Sequence, residues 1–324
     1  MNEAIKRWIR PVLYPPLHAW QWFYDYSRAK LGDWDDYRKR REIQRDATMV
    51  LRDVHGIRFV LYPFDRPNLL NLVRRCYDVA EFQAVPRLAR PGNIAIDVGA
   101  NVGLYTVLLS RLCGPEGRVW AFEPVPETYW RLRETLALNR CENVFPVQAA
   151  LCAESGSARM NLFEPQFAEW NSLGRPSMLG SNRKPITPHQ SIEVPAFNLD
   201  RFCEAEGIER INFLKVDVEG FELAVFQGAK RLLEQQRVDY ICFEISQAPL
   251  RGAGVTSREI FAALEAYGYG AYRFEVKTGA FQGPVRDTSE EWLNFFASWR
   301  DLSQSKELNL RARPQEKSID GNQQ

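Results

Sequence analysis

The sequence predicts an α/β protein whose mostly parallel sheet is covered by helices on both faces. Three observations carry this. Short apolar runs without polar alternation recur along the chain, segments of helical periodicity separate them, and the first such run gives way to a helix through a glycine turn. Runs of that kind suit strands buried on both sides, and their alternation with helices makes βαβ units.

The elements follow in order. Residues 1–56 form a basic, aromatic extension that Pro11, Pro15 and Pro16 interrupt before an apolar core can develop. It therefore reads neither as a signal peptide nor as a spanning helix. Packing of its Trp and Tyr side chains on the main domain or on a second subunit, as in a homodimer, is the favoured reading. Interfacial membrane contact through Lys6, Arg7 and Arg10 is the alternative. Within the extension, the charge-rich stretch 30–53 reads as a solvated helix. HGIRFVLYP (55–63) resembles a strand, and apolar residues recur at helical spacing between Asn68 and Leu88.

The domain proper, 57–300, holds NIAID (93–97) and RVWAFE (118–123) as strands, with helices over 103–112 and 126–139. NVFPVQAAL (143–151), INFLKVD (211–217) and DYICFEIS (239–246) are predicted as three more strands, and 221–233 as a crossover helix. A helix over 257–267 leads to the final strands AYRFEV (271–276) and WLNFFAS (292–298). Residues 158–199 break this rhythm and read as an inserted hairpin and loop beside the site. Residues 301–324 lack aromatics and periodicity, and read as a disordered polar tail.

Composition excludes several functions. Forty-two basic and 41 acidic residues leave a net charge of +1, so no global field recruits nucleic acid. Six cysteines without CxxC spacing argue against a disulfide framework or a zinc knuckle and suit a reducing cytoplasm. No HxxxH or HxE pattern supports a metal site. His18, His55 and His189 read as structural or solvated residues.

IAIDVGANVG (94–103) is the chemically informative loop. Gly103 is followed by Leu104 and Tyr105, so the Lys-Ser/Thr pair of a triphosphate-binding loop is missing. Glycines stand only at 99 and 103, which disfavours a dinucleotide. Asp97 would repel a pyrophosphate but accommodate an ammonium, and the helix start near Gly103 attracts a carboxylate. Glu123, at the end of the second strand, can accept hydrogen bonds from both hydroxyls of a ribose. An amino-acid zwitterion joined to an unphosphorylated nucleoside meets all three demands, and S-adenosylmethionine is such a molecule.

LKVDVEGFE (214–222) carries a second constellation. If it stays extended, Lys215, Asp217 and Glu219 share one face at the carboxyl end of a strand, the edge where open α/β sheets bind ligands. Methyl transfer to oxygen needs a placed hydroxyl and removal of its proton. Asp217 is the leading candidate for base or hydroxyl orienter, Glu219 the next, and Lys215 an electrostatic partner.

The segments IDVGANVGLYT (96–106), FEPVPETYWRLRETLALN (122–139), LKVDVEGFELAVFQGA (214–229) and FEIS (243–246) together resemble the FkbM family of S-adenosylmethionine-dependent methyltransferases. The resemblance implies a Rossmann-like class I methyltransferase with a mostly parallel seven-stranded sheet and an antiparallel last strand. It implies O-methylation of a hydroxyl on a sugar, glycan or secondary metabolite, thus a small-molecule or glycan acceptor. Asp97, Gly99, Asn101, Gly103 and Glu123 would contact the cofactor, with Ala150 near the adenine. The Asp217 and Glu219 motif would face the reaction centre, and Asn171-Ser172-Leu173 would border the substrate. Neither the first 56 residues nor the last two dozen have a counterpart in these motifs. A non-catalytic binding protein of the same fold and a nicotinamide-dependent oxidoreductase stay open as alternatives.

Overall fold

Side chains on β-strands alternate between faces, so a sheet with helices on both sides needs apolar residues at every position. That is how the central strands pack. Ile96, Trp120, Phe122, Leu214, Val216, Ile241 and Phe243 fill one core, while Ala95, Val119, Ala121, Phe213 and Cys242 fill the other. The computed structural model describes residues 49–52, 56–61, 79–163, 170–174, 178–179, 185–305 and 308. Most of the 1–56 extension, with its expected helices, dimer contact and membrane contact, lies outside these residues, as do His18 and His55.

Ahead of the sheet come β1 (Met49–Arg52), β2 (Arg58–Leu61) and α1 (Val79–Leu88). β1 and β2 pair as an antiparallel hairpin, so the stretch predicted as a solvated helix ends in a strand. The first half of the domain runs β3 (Ile94–Val98), α2 (Leu104–Cys113), β4 (Arg118–Phe122), α3 (Pro126–Asn139) and β5 (Val144–Val147). The inserted region holds β6 (Ala150–Leu151), β7 (Gly156–Leu162), β8 (Met178–Leu179), β9 (Pro185–Ile186) and β10 (Gln190–Phe197). Then follow α4 (Leu199–Glu206), β11 (Ile211–Val216), α5 (Glu222–Gly228), α6 (Lys230–Glu234), β12 (Val238–Ser246), α7 (Gln247–Ala253) and α8 (Ser257–Ala266). The last strands are β13 (Gly270–Glu275), β14 (Ala280–Val285) and β15 (Trp292–Ser298).

The main sheet has the order β14-β13-β15-β12-β11-β3-β4-β5. Its strands β12, β11, β3, β4 and β5 are parallel, and the last strand, β15, is antiparallel to β12, as expected. The sheet has eight strands rather than the expected seven, because AFQGPV forms the exposed edge strand β14. Its Gly and Pro hid it from a propensity argument.

Three further predictions need correction. NVFPVQAAL is two strands: β5 stays in the main sheet, while β6 turns away to pair with β10. The predicted crossover helix breaks at Ala229 into α5 and α6. Gly228 there packs so closely on the Cys152 carbonyl that an added Cβ would lie 2.2 Å from its oxygen. The tail predicted to be disordered from 301 begins with core residues instead, since Leu302 and Leu308 are buried against the α2 side of the sheet.

The 158–199 interval contains a hairpin. β7 pairs antiparallel with β10, and the bridge between Asn161 and Ser172 adds the 170–174 segment to it. Cys113, Cys141, Cys152, Cys203 and Cys242 are free thiols. Among the described residues, no helix is long and apolar enough to cross a membrane.

Candidate functional site

Five parallel strands end on one edge, and the loops leaving them enclose a cleft of about 1080 Å³, its mouth included. Gly99 and Asn101 line it after β3, Glu123 and Val125 after β4, and Ala150 from β6. Asp217 and Glu219 line it after β11, with Glu244 and Ser246 from β12. Trp170, Asn171 and Leu173 of the inserted segment and Trp292 of β15 close the far side.

The first loop is built by close backbone approach. The amides of Gly99 and Ala100 both donate to the Phe122 carbonyl, at 3.0 and 2.9 Å, and the Asp217 amide donates to Val98 at 3.0 Å. Gly99 has φ +79° and leaves no room for a side chain, since a Cβ there would lie 1.8 Å from the Asp217 carbonyl oxygen. The two ligand loops therefore touch through bare backbone. Asn101 is also left-handed, at φ +49°, a conformation asparagine tolerates.

Glu123 ties this loop to the next. Its Oε2 accepts the Asn101 N–H at 3.1 Å and its Oε1 accepts the Val125 N–H at 2.9 Å. Burial pushes its carboxyl up to about 7, although both amides act against that shift. Each oxygen retains lone-pair capacity on a group that lines the cleft.

Asp97 and Gly103 sit one layer behind the cleft rather than in its lining. Asp97 shares a face with Ala95, points toward α2, and accepts the Thr106 hydroxyl at 2.6 Å. Its other oxygen, Oδ1, is buried without a hydrogen bond, and burial holds its carboxyl above the usual range despite Lys215 and Thr106. Gly103, at φ +96°, is the N-cap of α2, and an added Cβ would meet Leu132 at 2.8 Å. Its role in this geometry is the close packing of α2 on α3.

Lys215, Asp217 and Glu219 do not lie on one extended face, because β11 ends at Val216 and Glu219 turns left-handed at φ +52°. Lys215 pairs in register with Asp97 and is buried over the Tyr105 ring, 4.4 Å from its centroid. Its ammonium reaches forward to Asp217 Oδ2 at 2.7 Å. Burial would push that ammonium down, but Asp217 and Asp97 outweigh it and hold the lysine charged. Thus Asp217 stands at the cleft as one half of an anchored ion pair.

The unusual backbone at Glu219 is held from the insertion. The buried Ser172 hydroxyl donates to the Glu219 carbonyl at 2.8 Å, which fixes the hairpin to the β11 loop. Asn171 accepts the Phe163 amide at 2.8 Å. Asn171 and Leu173 of this segment line the cleft, whereas Ser172 is buried behind them. His189 is exposed, and its amide donates to the Leu162 carbonyl at 2.9 Å within the hairpin.

Glu244 is the site residue that motif reading missed. One carboxylate oxygen from each of Asp217, Glu219 and Glu244 lies within 4.8 Å of the others. The signal available in the sequence was a single charge interrupting the apolar run YICFEIS, at the carboxyl end of a buried strand.

Behind this group, Glu222 Oε1 accepts the amides of Val218 and Gly220 at 3.3 and 3.2 Å, whereas Oε2 is buried without a partner. Burial pushes Glu222 up to about 7. The folded chain therefore takes up this proton before the unfolded chain does, and the associated stability is lost as pH rises from about 4.5 to about 7. Glu222→Gln removes the buried charge, so it is expected to be more stable than the parent by roughly 1–3 kcal/mol at pH 8. The difference closes toward pH 5. Equal melting temperatures at pH 8 would contradict the assignment.

A profile described as "Methyltransferase FkbM domain" matches residues 97–270, more than half of the chain. Methyltransferase 1 of Beauveria bassiana is 28% identical over 166 residues, covering 48% of this chain and 63% of that protein. The chain thus spans just under two thirds of that relative's length. The hexuronic acid methyltransferase AglP of Haloferax volcanii is 30% identical over 194 residues, covering 59% of this chain and 70% of the relative. The 31-O-demethyl-FK506 methyltransferase FkbM of Streptomyces tacrolimicus is 29% identical over 219 residues, covering 57% and 82%.

Proposed function

The chain belongs to the FkbM methyltransferase family, and from that premise we propose that its cleft binds S-adenosylmethionine and passes the methyl group to a hydroxyl of a sugar, glycan or secondary metabolite. The observation that carries this reading is the polarity of the cleft. Glu123, fixed by two amides, stands at one end, and Asp217, Glu219 and Glu244 converge at the other. A ribose diol suits the first end and a cationic centre suits the second.

The residues fit the ligand. Gly99 leaves the backbone bare where the two loops meet, and Asn101 presents the same loop to the cleft. Val125, Ala150, Leu151 and Met160 offer apolar walls for an adenine near Glu123. Asp97 and Gly103 support the loop from behind. S-adenosylmethionine, when bound, supplies an electrophilic methyl on a sulfonium. Asp217, held by Lys215, and Glu219 orient the acceptor hydroxyl against it, and Ser172 holds the Glu219 turn in place. The acceptor class rests on the relatives, whose names include a hexuronic acid methyltransferase and a 31-O-demethyl-FK506 methyltransferase.

Asp217→Asn tests the division of labour. Its affinity for S-adenosylmethionine is expected to stay within about threefold of the parent, while turnover falls by roughly 10²- to 10⁴-fold. Transfer of a tritiated methyl group to methyl hexosides and hexuronosides measures it. Undiminished turnover would remove Asp217 from the reaction centre.

A further inference from the structure

We infer that Glu244 is the general base that receives the acceptor's proton, and that Asp217, neutralised by Lys215, is the fixed carboxylate that orients the hydroxyl. This rests on the methyl-transfer reading above. The two carboxylates differ in their surroundings. Asp217 Oδ2 is committed to the buried Lys215 ammonium at 2.7 Å, so its charge is already engaged in a half-buried ion pair. Glu244 lines the same cleft at 8% exposure, and among the described residues its carboxylate makes no hydrogen bond or ion pair. Its oxygens are open to the cleft.

Topology explains the contrast. Val216 pairs with Phe243, so Glu244 lies one residue beyond the last residue of β11, beside the turn that carries Asp217 and Glu219. On the other side it pairs with Asn294 of β15, which is uncharged. The titratable groups facing Glu244 are Asp217, Glu219, Lys215 and Glu222. Three of these four are acids, and the single lysine is already shared with Asp217. Burial first, then Asp217 and Glu219, push the Glu244 carboxyl well above the usual carboxylate range, which suits a group that must take up a proton.

The step balances. The acceptor oxygen forms its bond to the methyl carbon as the methyl–sulfur bond breaks and its electron pair passes to sulfur, which becomes a neutral thioether. The hydroxyl proton moves to a Glu244 oxygen and leaves later to solvent.

The test uses the full chain with tritiated S-adenosylmethionine and a panel of methyl hexosides, 6-deoxyhexosides and hexuronosides, with EDTA present. For the parent, with S-adenosylmethionine saturating at every pH so that protonation of Glu123 does not enter, kcat and the acceptor's kcat/KM are expected to fall tenfold per pH unit on the acid side. Glu244→Gln should bind S-adenosylmethionine within about threefold, lose roughly 10²- to 10⁴-fold in kcat, and lose the acid limb. Glu244→Asp should keep the limb with part of the rate, and Asp217→Asn should keep the limb while losing rate. An acid limb that survives in Glu244→Gln overturns the assignment, as does a parent rate abolished by EDTA, since the carboxylates would then be holding a cation.

Carboxyl-13C-glutamate NMR with S-adenosylhomocysteine bound needs no acceptor. The resonance that disappears in Glu244→Gln should titrate well above the ordinary glutamate range, and a midpoint inside that range overturns the proposal even if no glycoside is methylated. Failure of the glycosides with a raised Glu244 midpoint supports the base and faults only the acceptor class. Failure of S-adenosylmethionine to bind the parent at all sinks the functional reading and the base with it.

Discussion

Glu123→Ala is expected to raise the dissociation constant for S-adenosylmethionine by two to three orders of magnitude in calorimetry at pH 8. A hydrogen bond to a charged acceptor contributes roughly 1.5–3 kcal/mol, and about 1.4 kcal/mol is tenfold in affinity. Two ribose hydroxyls sharing one carboxylate therefore account for at least a hundredfold loss. The variant also strands the Asn101 and Val125 amides, which now bond to Glu123 at 3.1 and 2.9 Å. Glu123→Gln keeps one acceptor oxygen and should fall between the two. Because burial pushes Glu123 up to about 7, the parent's affinity should weaken below that pH by up to tenfold per unit, as the carboxylate takes up its proton. The Gln variant should show no such dependence. Normal affinity in a folded Glu123→Ala protein would remove the ribose role.

Gly99→Ala is expected to cost stability and ligand binding together. Its Cβ would sit 1.8 Å from the Asp217 carbonyl oxygen and 2.9 Å from the carbonyl carbon, both backbone atoms that no side-chain rotation can clear. The left-handed φ of +79° adds its own cost of about 1–2 kcal/mol for a non-glycine residue. With overpacking of about 1–3 kcal/mol, the loss falls at roughly 2–5 kcal/mol in thermal or denaturant unfolding. Relief of the clash separates the loop after β3 from the loop after β11, so S-adenosylmethionine binding should fail even where the fold survives. Gly103→Ala makes the informative contrast, because its nearest obstacle is the flexible end of Leu132 at 2.8 Å. It should be the milder of the two, and parent-like stability in Gly99→Ala would show that the loops can part without cost.

The parts of the fold legible in the sequence are those dictated by two-sided burial. NIAID, RVWAF, INFLKV and DYICFEIS read as central strands because both faces of each are apolar, and all four lie side by side in the sheet. Glu123 was legible for a related reason: it ends such a run, and a charge there has no core to enter. The rest depended on backbone turns and on partners distant in the chain. Nothing local reveals that Glu219 turns left-handed, that Asp97 faces α2 with Thr106, or that the strand begun at Val144 leaves the sheet after Val147. Glu244 joins Asp217 only because β12 lies beside β11, a fact of strand order that no spacing in one chain contains.

On the proposed reading, the cleft at the carboxyl edge of the sheet takes an amino-acid-bearing nucleoside and not a dinucleotide. Thermal unfolding of the full chain in increasing S-adenosylmethionine, beside the same series with NAD, tests it most directly, since a ligand that binds only the folded state raises the melting temperature with the logarithm of its concentration. A rising transition is expected with S-adenosylmethionine, lost in Glu123→Ala, and a flat one with NAD. A rise with NAD and none with S-adenosylmethionine would contradict it.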